Sequence, residues 1–178
     1  MLAVLPLFHG FGLGVCVHTI LSHGGSVILV PRFKALPVAK PILRYRCNFV
    51  SGVPAMYEKL IKLKVFNDKD LSFLQGVYLG GDNLSSSLKH QIDNFLKVHN
   101  ARIYAREGYG TTETTTVCCL NPEHANKDLS VGIPLPDMEI KIVKPGTQKC
   151  LEAEEEGQVV ISGPSTMIEY VNKPEETA

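Results

Sequence analysis

A five-residue group, Tyr109-Gly110-Thr111-Thr112-Glu113, contains the residue types that nucleotide chemistry uses. An aromatic face can stack on a purine, which stabilises binding by about 1–3 kcal/mol per base. Threonine hydroxyls can donate to phosphate oxygens, a carboxylate can hold Mg²⁺, and glycine permits close approach of the backbone. An ordinary turn at a strand end, followed by a threonine-rich helix cap, accounts for the same residues. The group alone leaves both interpretations open.

A second group, Gly80-Gly81-Asp82-Asn83, lies between a predicted strand and a predicted helix. Open α/β sheets bind ligands at the carboxyl ends of their strands, and the helix that follows adds exposed N–H groups and positive potential. The same four residues also suit a plain strand-to-helix turn with an Asp, Asn or Ser cap. The group therefore indicates a ligand-binding edge only in combination with other motifs.

A histidine, His9, stands in the apolar segment Leu-Pro-Leu-Phe-His-Gly-Phe-Gly at residues 5–12. A single histidine beside apolar residues is commonly a satisfied core residue, although it can also line a substrate pocket. His18 and His23 follow at spacings of nine and five residues, which do not place the three rings on one helical face. The spacing therefore argues against a zinc site.

The composition excludes several classes of protein. The chain has 178 residues, 44% of them hydrophobic, and its 18 Lys and Arg balance 18 Asp and Glu, so no overall field attracts nucleic acid or an anionic membrane. The five cysteines include an adjacent pair and no C-x-x-C spacing, which disfavours a disulfide framework and fits a reducing cytoplasm. The apolar runs are shorter than the roughly 20 residues of a membrane span. We expect residues 1–21 to be buried, and the acidic run at 152–156 to form a solvated turn.

The pattern of elements predicts an α/β protein. Short β-rich runs alternate with amphipathic helices over residues 1–125, which predicts a parallel or mixed layered sheet with flanking helices. Residues 126–178 then alternate apolar and charged positions, which predicts a small antiparallel β subdomain. The expected strands are residues 4–7, 26–30, 48–51, 76–79, 102–105, 138–143 and 157–162; the expected helices are 37–45, 54–63 and one carrying Leu88, Ile92, Phe95 and Leu96; a turn is expected at 107–110.

In this order, the motifs resemble those of the adenylating superfamily, which includes acyl-CoA synthetases, firefly luciferases and peptide-synthetase adenylation domains. The resemblance covers essentially the whole chain. It rests on an L-P-x-F-H-x-x-G segment at residues 5–12, a V-P element at 53–54, a G-G-A-x-L segment at 80–84 with Asp82 in place of the commoner alanine, G-Y-G-x-T-E at 108–113 and a G-x-P element at 132–134. Residues 157–176 resemble the family's G-E-[I/L]…G-Y-x-N-x-P-E-x-T segment, with Gln158 in place of the usual glutamate and Glu169 in place of the usual glycine.

The resemblance implies a two-step reaction. A carboxylate attacks the α-phosphate of ATP to give acyl-AMP and pyrophosphate, and the thiol of coenzyme A then takes the acyl group. It implies that Thr112 contacts the α-phosphate and that Glu113 holds Mg²⁺, these two being the catalytic residues. The nucleotide site would comprise Gly81, Asp82, Asn83, Tyr109, Gly110, Thr111 and Thr112, with Tyr109 against adenine; the acyl site would comprise His9, Gly80, Gly81 and Gly108.

The family's phosphate-gripping loop, its ribose-binding aspartate and its lysine-bearing domain have no counterpart in the chain. We therefore expect an internal fragment of an acyl-CoA ligase that is inactive alone and self-associates through exposed sheet edges. The resemblance to long- or medium-chain fatty acid CoA ligases makes a fatty acid the expected substrate. An amino acid is disfavoured, since no carboxylate follows His9 to pair with its ammonium group. Two alternatives stay open: a nucleotide-binding module without turnover, and an enzyme that loads a carrier protein. A Rossmann dehydrogenase is excluded because no G-x-G-x-x-G opens a helix.

Overall fold

A mixed β-sheet organises the protein, as a computed structural model describing residues 1–177 shows. The strand order is β2-β1-β3-β4-β5-β6-β7, with parallel pairing from β2 to β5 and antiparallel pairing from β5 to β7. The predicted α/β class with a mixed sheet is thereby confirmed. The strands are β1 Leu2–Ala3, β2 Ile28–Leu29, β3 Phe49–Gly52, β4 Gly76–Leu79, β5 Ala105–Tyr109, β6 Cys119–Leu120 and β7 Ile133–Pro134.

The helices begin and end where local chemistry favours it. The Ser85 hydroxyl accepts a hydrogen bond from the Leu88 N–H at 3.3 Å and caps the longest helix. Pro54 occupies the first turn of another helix, where its missing N–H has no consequence. The helices are a π-helix Phe11–His18, α1 Thr19–Ser22, α2 Ala35–Tyr45, α3 Pro54–Leu60, α4 Ser86–Val98 and α5 Pro174–Thr177, with 3₁₀ turns at Lys64–Phe66, Thr112–Thr114 and Glu123–Ala125.

The two faces of the sheet have different partners. Val50 and Val77 point towards α2, α3 and α4, where they meet the buried side chains of Ile92 and Leu96. Because successive strand residues point to opposite faces, Phe49 and Tyr78 face the other side, under the π-helix. The apolar core therefore fills one face, and the second face is left for a cavity.

A separate antiparallel hairpin follows the sheet. Strands β8 Glu139–Val143 and β9 Gln158–Ser162 pair along their whole length, from Glu139 opposite Ser162 to Val143 opposite Gln158. Most of their side chains are exposed or half-buried, which confirms the predicted half-exposed antiparallel pair. Strand β7 lies beyond residue 125 and yet pairs in the large sheet. The division at residue 125 stays a prediction.

The strand before the Tyr109 motif was misplaced by the sequence prediction. We expected a strand at residues 102–105 and a turn at 107–110, but β5 covers Ala105–Tyr109. Ladder pairing with β4 holds this segment extended, and the Asp93 carboxylate accepts a hydrogen bond from the Ala105 N–H at 2.7 Å where β5 begins. The turn therefore starts only after Tyr109.

The amino-terminal segment also differs from expectation. The strand expected at residues 4–7 lies earlier in the chain, as β1 at Leu2–Ala3. The chain then leaves the sheet in a turn, in which the His9 N–H donates to the Pro6 carbonyl at 3.1 Å. Residues 1–5 are buried, but Phe8 is 95% exposed. The prediction that the whole segment 1–21 is buried was therefore wrong. The helix expected at 54–63 ends at Leu60.

Within residues 1–177, no helix is both long enough and apolar enough to cross a membrane.

Candidate functional site

A cavity of about 530 Å³ lies between the sheet and the π-helix. Its floor includes Phe49 and Tyr78, whose rings stack with centroids 6.4 Å apart and planes inclined by 17°. Phe11 and Val15 from the π-helix and Ile20 from α1 line the same space. This part of the cavity is therefore apolar on both sides, as an acyl or aromatic group requires.

The other part of the cavity lies at the carboxyl ends of β4 and β5. Gly80, Gly81, Gly108, Tyr109 and Gly110 all line it. A side chain at position 80 would place its Cβ 3.0 Å from the carbonyl oxygen of the residue at position 108, so the absence of a Cβ keeps the two strand ends close together. The residue at position 81 has a φ of +75°, a conformation that glycine adopts without strain.

A threonine-rich turn closes the cavity beyond Tyr109. Thr111 and Thr114 form a reciprocal cap, in which the Thr111 N–H donates to the Thr114 hydroxyl at 3.2 Å. A Cβ at Gly110 would lie 1.5 Å from the Thr116 carbonyl oxygen, so only glycine fits this turn. As a result, Thr111 and Thr112 stand on the cavity wall beside Tyr109.

His9 lines the cavity from the amino-terminal side. Its Nδ1 accepts a hydrogen bond from the Phe11 N–H at 3.1 Å, which fixes the ring at the entry to the π-helix. The helix itself approaches the threonine turn closely, because a Cβ at Gly14 would meet the Thr116 methyl at 3.1 Å. His9 and the threonine turn thus lie close together on the wall of the cavity.

Three of the predicted site residues stand outside the cavity wall. Asp82 and Asn83 are exposed, and the Asp82 carboxylate accepts a hydrogen bond from the Asn83 N–H at 2.8 Å. Glu113 accepts a hydrogen bond from the Tyr170 hydroxyl at 2.6 Å. That bond is the chief reason that the pKa of Glu113 lies below its usual value. The other predicted residues, His9, Gly80, Gly81, Gly108, Tyr109, Gly110, Thr111 and Thr112, line one cavity.

The residues present suit Mg²⁺ only in combination with a bound nucleotide. Residues 1–177 contain no group of three or more His, Cys, Asp or Glu side chains that could hold a metal ion. Glu113 offers a single carboxylate one residue from Thr112 on the cavity wall. Mg²⁺ usually takes one or two carboxylates together with water and substrate phosphates, and this donor set fits that pattern.

A buried ion cluster lies on α4 and ties it to the loop after β6. Lys89 contacts the Asp93 carboxylate at 2.8 Å and the Asp128 carboxylate at 3.1 Å. Burial opposes the charge of Lys89, but the hydrogen bonds to both carboxylates outweigh it and raise the Lys89 pKa. Asp93 also holds the first N–H of β5, so the cluster fixes the strand that ends in Tyr109.

A second acidic side chain, Glu107, is buried on β5. Burial raises the pKa of Glu107, while the N–H of Leu84 and the charge of Lys89 act in the opposite direction.

The sequence prediction missed most of the apolar wall. It did not assign Phe11, Val15, Phe49, Tyr78 or Val117 to the site. Strand periodicity could have placed Phe49 and Tyr78 on one sheet face, since they alternate with buried Val50 and Val77. The π-helix residues gave no such signal, because helix prediction assumes a repeat of 3.6 residues.

The chain belongs to the AMP-binding enzyme family, whose model matches residues 1–171. It is 30% identical over 177 residues to the probable 4-coumarate–CoA ligase 1 of Dictyostelium discoideum, covering 99% of this chain and 32% of that protein. It is 31% identical over 179 residues to the long-chain-fatty-acid–CoA ligase of Bacillus subtilis (strain 168), covering 100% of this chain and 31% of that protein. The predicted resemblance is confirmed.

A solved structure supports the same fold. The anthranilate CoA ligase AuaEII, in complex with anthranoyl-AMP, superposes with a TM-score of 0.88 at 24% identity, covering 99% of this chain and 33% of that one. The chain thus spans about a third of the length of the curated relatives it matches.

Proposed function

We propose that the protein takes part in ATP-dependent activation of a carboxylic acid as acyl-AMP, with transfer of the acyl group to coenzyme A. One observation carries the proposal: a single cavity joins an apolar half, containing Phe11 and Phe49, to a nucleotide-type half, containing Tyr109 and Thr112. An acyl-adenylate has the same two halves, joined at a phosphate. The names of the relatives in the AMP-binding family support this proposal.

The nucleotide half assigns roles to individual side chains. The exposed face of Tyr109 would stack on adenine, and Gly81, Asp82 and Asn83 would line the opposite face of the base. The Thr112 hydroxyl would donate to the α-phosphate, with Gly110 and Thr111 shaping the turn around it. Mg²⁺, when bound, would neutralise phosphate charge, and Glu113 would hold it.

The apolar half would receive the acyl chain. His9, Gly80, Gly81 and Gly108 surround the junction with the nucleotide half, where the reacting carboxylate must lie. The protein's contribution there is positioning and charge stabilisation, which require no protein nucleophile. We propose a long- or medium-chain fatty acid as the substrate, since apolar side chains dominate the wall and one relative is a long-chain-fatty-acid–CoA ligase.

Exchange of labelled pyrophosphate into ATP tests this function, because exchange requires reversible formation of acyl-AMP. The complete gene product is assayed with a panel of fatty, aromatic and amino acids. We expect exchange that depends on added fatty acid, is kept in Tyr109→Phe and is lost in Thr112→Val. Nucleotide binding without exchange on any acid would favour the second candidate, a nucleotide-binding module without turnover.

Two further proposals concern the chain's organisation. The edge strand β2 leaves Leu29 59% exposed, which favours self-association of the isolated chain. Light scattering over a range of concentrations tests it, and a monomer throughout would contradict it. We also propose the two parts 1–125 and 126–178 as separate subdomains; limited proteolysis near residue 125 tests that division.

A further inference from the structure

The segment after β9 folds back onto the turn that carries Glu113. The Met167 N–H donates to the Glu113 carbonyl at 2.6 Å, and the Thr115 hydroxyl donates to the Ser165 carbonyl at 2.8 Å. The Tyr170 hydroxyl donates to the Glu113 carboxylate oxygen Oε1 at 2.6 Å. Three hydrogen bonds thus join two parts of the chain that lie about fifty residues apart in sequence.

Tyr170 is itself held in place. Its N–H donates to the Thr177 hydroxyl at 3.0 Å, and its carbonyl accepts from the Lys173 N–H at 3.0 Å, at the start of α5. The Tyr170 backbone is therefore anchored independently of its side chain. A phenol presented from an anchored backbone can restrict the rotation of the carboxylate that it contacts.

The bond to Glu113 engages only one of the two carboxylate oxygens. An O–H···O⁻ bond of this length is charge-assisted and directional, so it restricts the orientation of the carboxylate. The Tyr170 bond leaves Oε2 able to accept a further partner beside the cavity wall, where the Glu113 N–H and the Thr111 hydroxyl also help to lower the Glu113 pKa. Tyr170 does not line the cavity, so within residues 1–177 it can influence the site through its hydrogen bond to Glu113.

We propose that Tyr170 is a positioning residue, which orients the Glu113 carboxylate so that its second oxygen meets the magnesium ion of bound nucleotide. The inference rests on the proposed function, in which Glu113 holds that ion. This role would give the segment after β9 a part in nucleotide binding. That part would be indirect, because the segment is bonded to the threonine turn and not to the cavity wall. The competing interpretation is that the bond serves only to attach this segment to the sheet.

Binding of a non-hydrolysable ATP analogue, with Mg²⁺ and with EDTA, separates the two interpretations. The magnesium gain is defined as the ratio of the two dissociation constants, measured by calorimetry on the complete gene product. We expect Tyr170→Phe, which removes one oxygen and keeps the ring, to lower the magnesium gain about tenfold, in the range expected for a lost hydrogen bond to a charged group. Affinity in EDTA should be unchanged. Tyr45→Phe, at an exposed tyrosine on α2, is the matched control and should keep the full gain.

The same titration on Glu113→Gln distinguishes failure of this inference from failure of the proposed metal role. If Glu113→Gln keeps the magnesium gain, the metal role of Glu113 is wrong. If Glu113→Gln loses the gain and Tyr170→Phe keeps it, only the positioning role is wrong. A Tyr170→Phe protein that does not fold also contradicts the inference, because the hydroxyl would then hold the fold and not orient a carboxylate.

Discussion

Replacing Lys89 by methionine tests whether its ion cluster holds β5, the strand that ends in Tyr109, in place. The Lys89 side chain is 6% exposed and contacts Asp93, which is 14% exposed, and Asp128. The change removes the lysine cation of this cluster while keeping an apolar stem of similar length. Asp93 then loses its ion-pair partner at a largely buried position, while Asp128 keeps its contact with His90 Nε2 at 2.6 Å.

Removing one partner of a buried ion pair typically costs about 3–5 kcal/mol of unfolding free energy. With a urea dependence of about 2 kcal/mol per molar for a domain of this size, the unfolding midpoint should fall by about 2 M. Urea unfolding of the chain can be followed by circular dichroism and by tyrosine fluorescence, since the sequence contains no tryptophan. Coincident transitions by both probes would justify the two-state treatment.

Lys97→Met provides the matched control. Lys97 lies on the same helix, is exposed and forms no ion pair within residues 1–177, so its replacement should change stability by less than about 0.5 kcal/mol. Equal midpoints for the Lys89 and Lys97 variants would contradict this prediction, because they would show that the cluster contributes no more to stability than a surface charge.

Three further predictions concern pH, thiols and the cavity. The Lys89 ammonium holds the pKa of Asp128 below its usual value, so the contribution of Asp128 to stability is present above about pH 4 and is lost at lower pH; the stability difference between wild type and Asp128→Asn should therefore shrink below pH 4 in acid titrations. Cys150 is exposed, whereas burial raises the pKa of Cys119 to about 11, so one thiol should react rapidly with a chromogenic disulfide and the buried thiols only on unfolding. Gly80→Val should abolish acid-dependent pyrophosphate exchange, since a Cβ there already meets the neighbouring strand at 3.0 Å; exchange at the wild-type rate would contradict this.

The sequence allowed the edge of the sheet to be located because its motifs follow strands. Gly80 directly follows β4 and Tyr109 ends β5, and parallel strands bring their carboxyl ends to one edge of the sheet. The start of β5 could not be predicted, since Ala105 is fixed by pairing with Val77 and by the Asp93 carboxylate, both distant in sequence.

Other parts of the site depend on contacts that no local pattern encodes. The π-helix places Phe11 and Val15 over the cavity through a repeat that helical periodicity does not describe. The bond between Tyr170 and Glu113 spans 57 residues and depends on the chain's return over the threonine turn. Family motifs could identify both residues, but not that they touch.

We propose that the cavity receives an acyl-adenylate with its adenine stacked on Tyr109. Calorimetric binding of a non-hydrolysable acyl-adenylate analogue to the complete gene product, to Tyr109→Ala and to Tyr104→Ala tests it most directly. Tyr104 is 63% exposed and does not line the cavity, so its loss should leave affinity unchanged. We expect the Tyr109 variant to bind more weakly by about 1–3 kcal/mol, or roughly 5- to 150-fold. Equal affinity of wild type and Tyr109→Ala, or no binding to the wild-type protein, would contradict the claim.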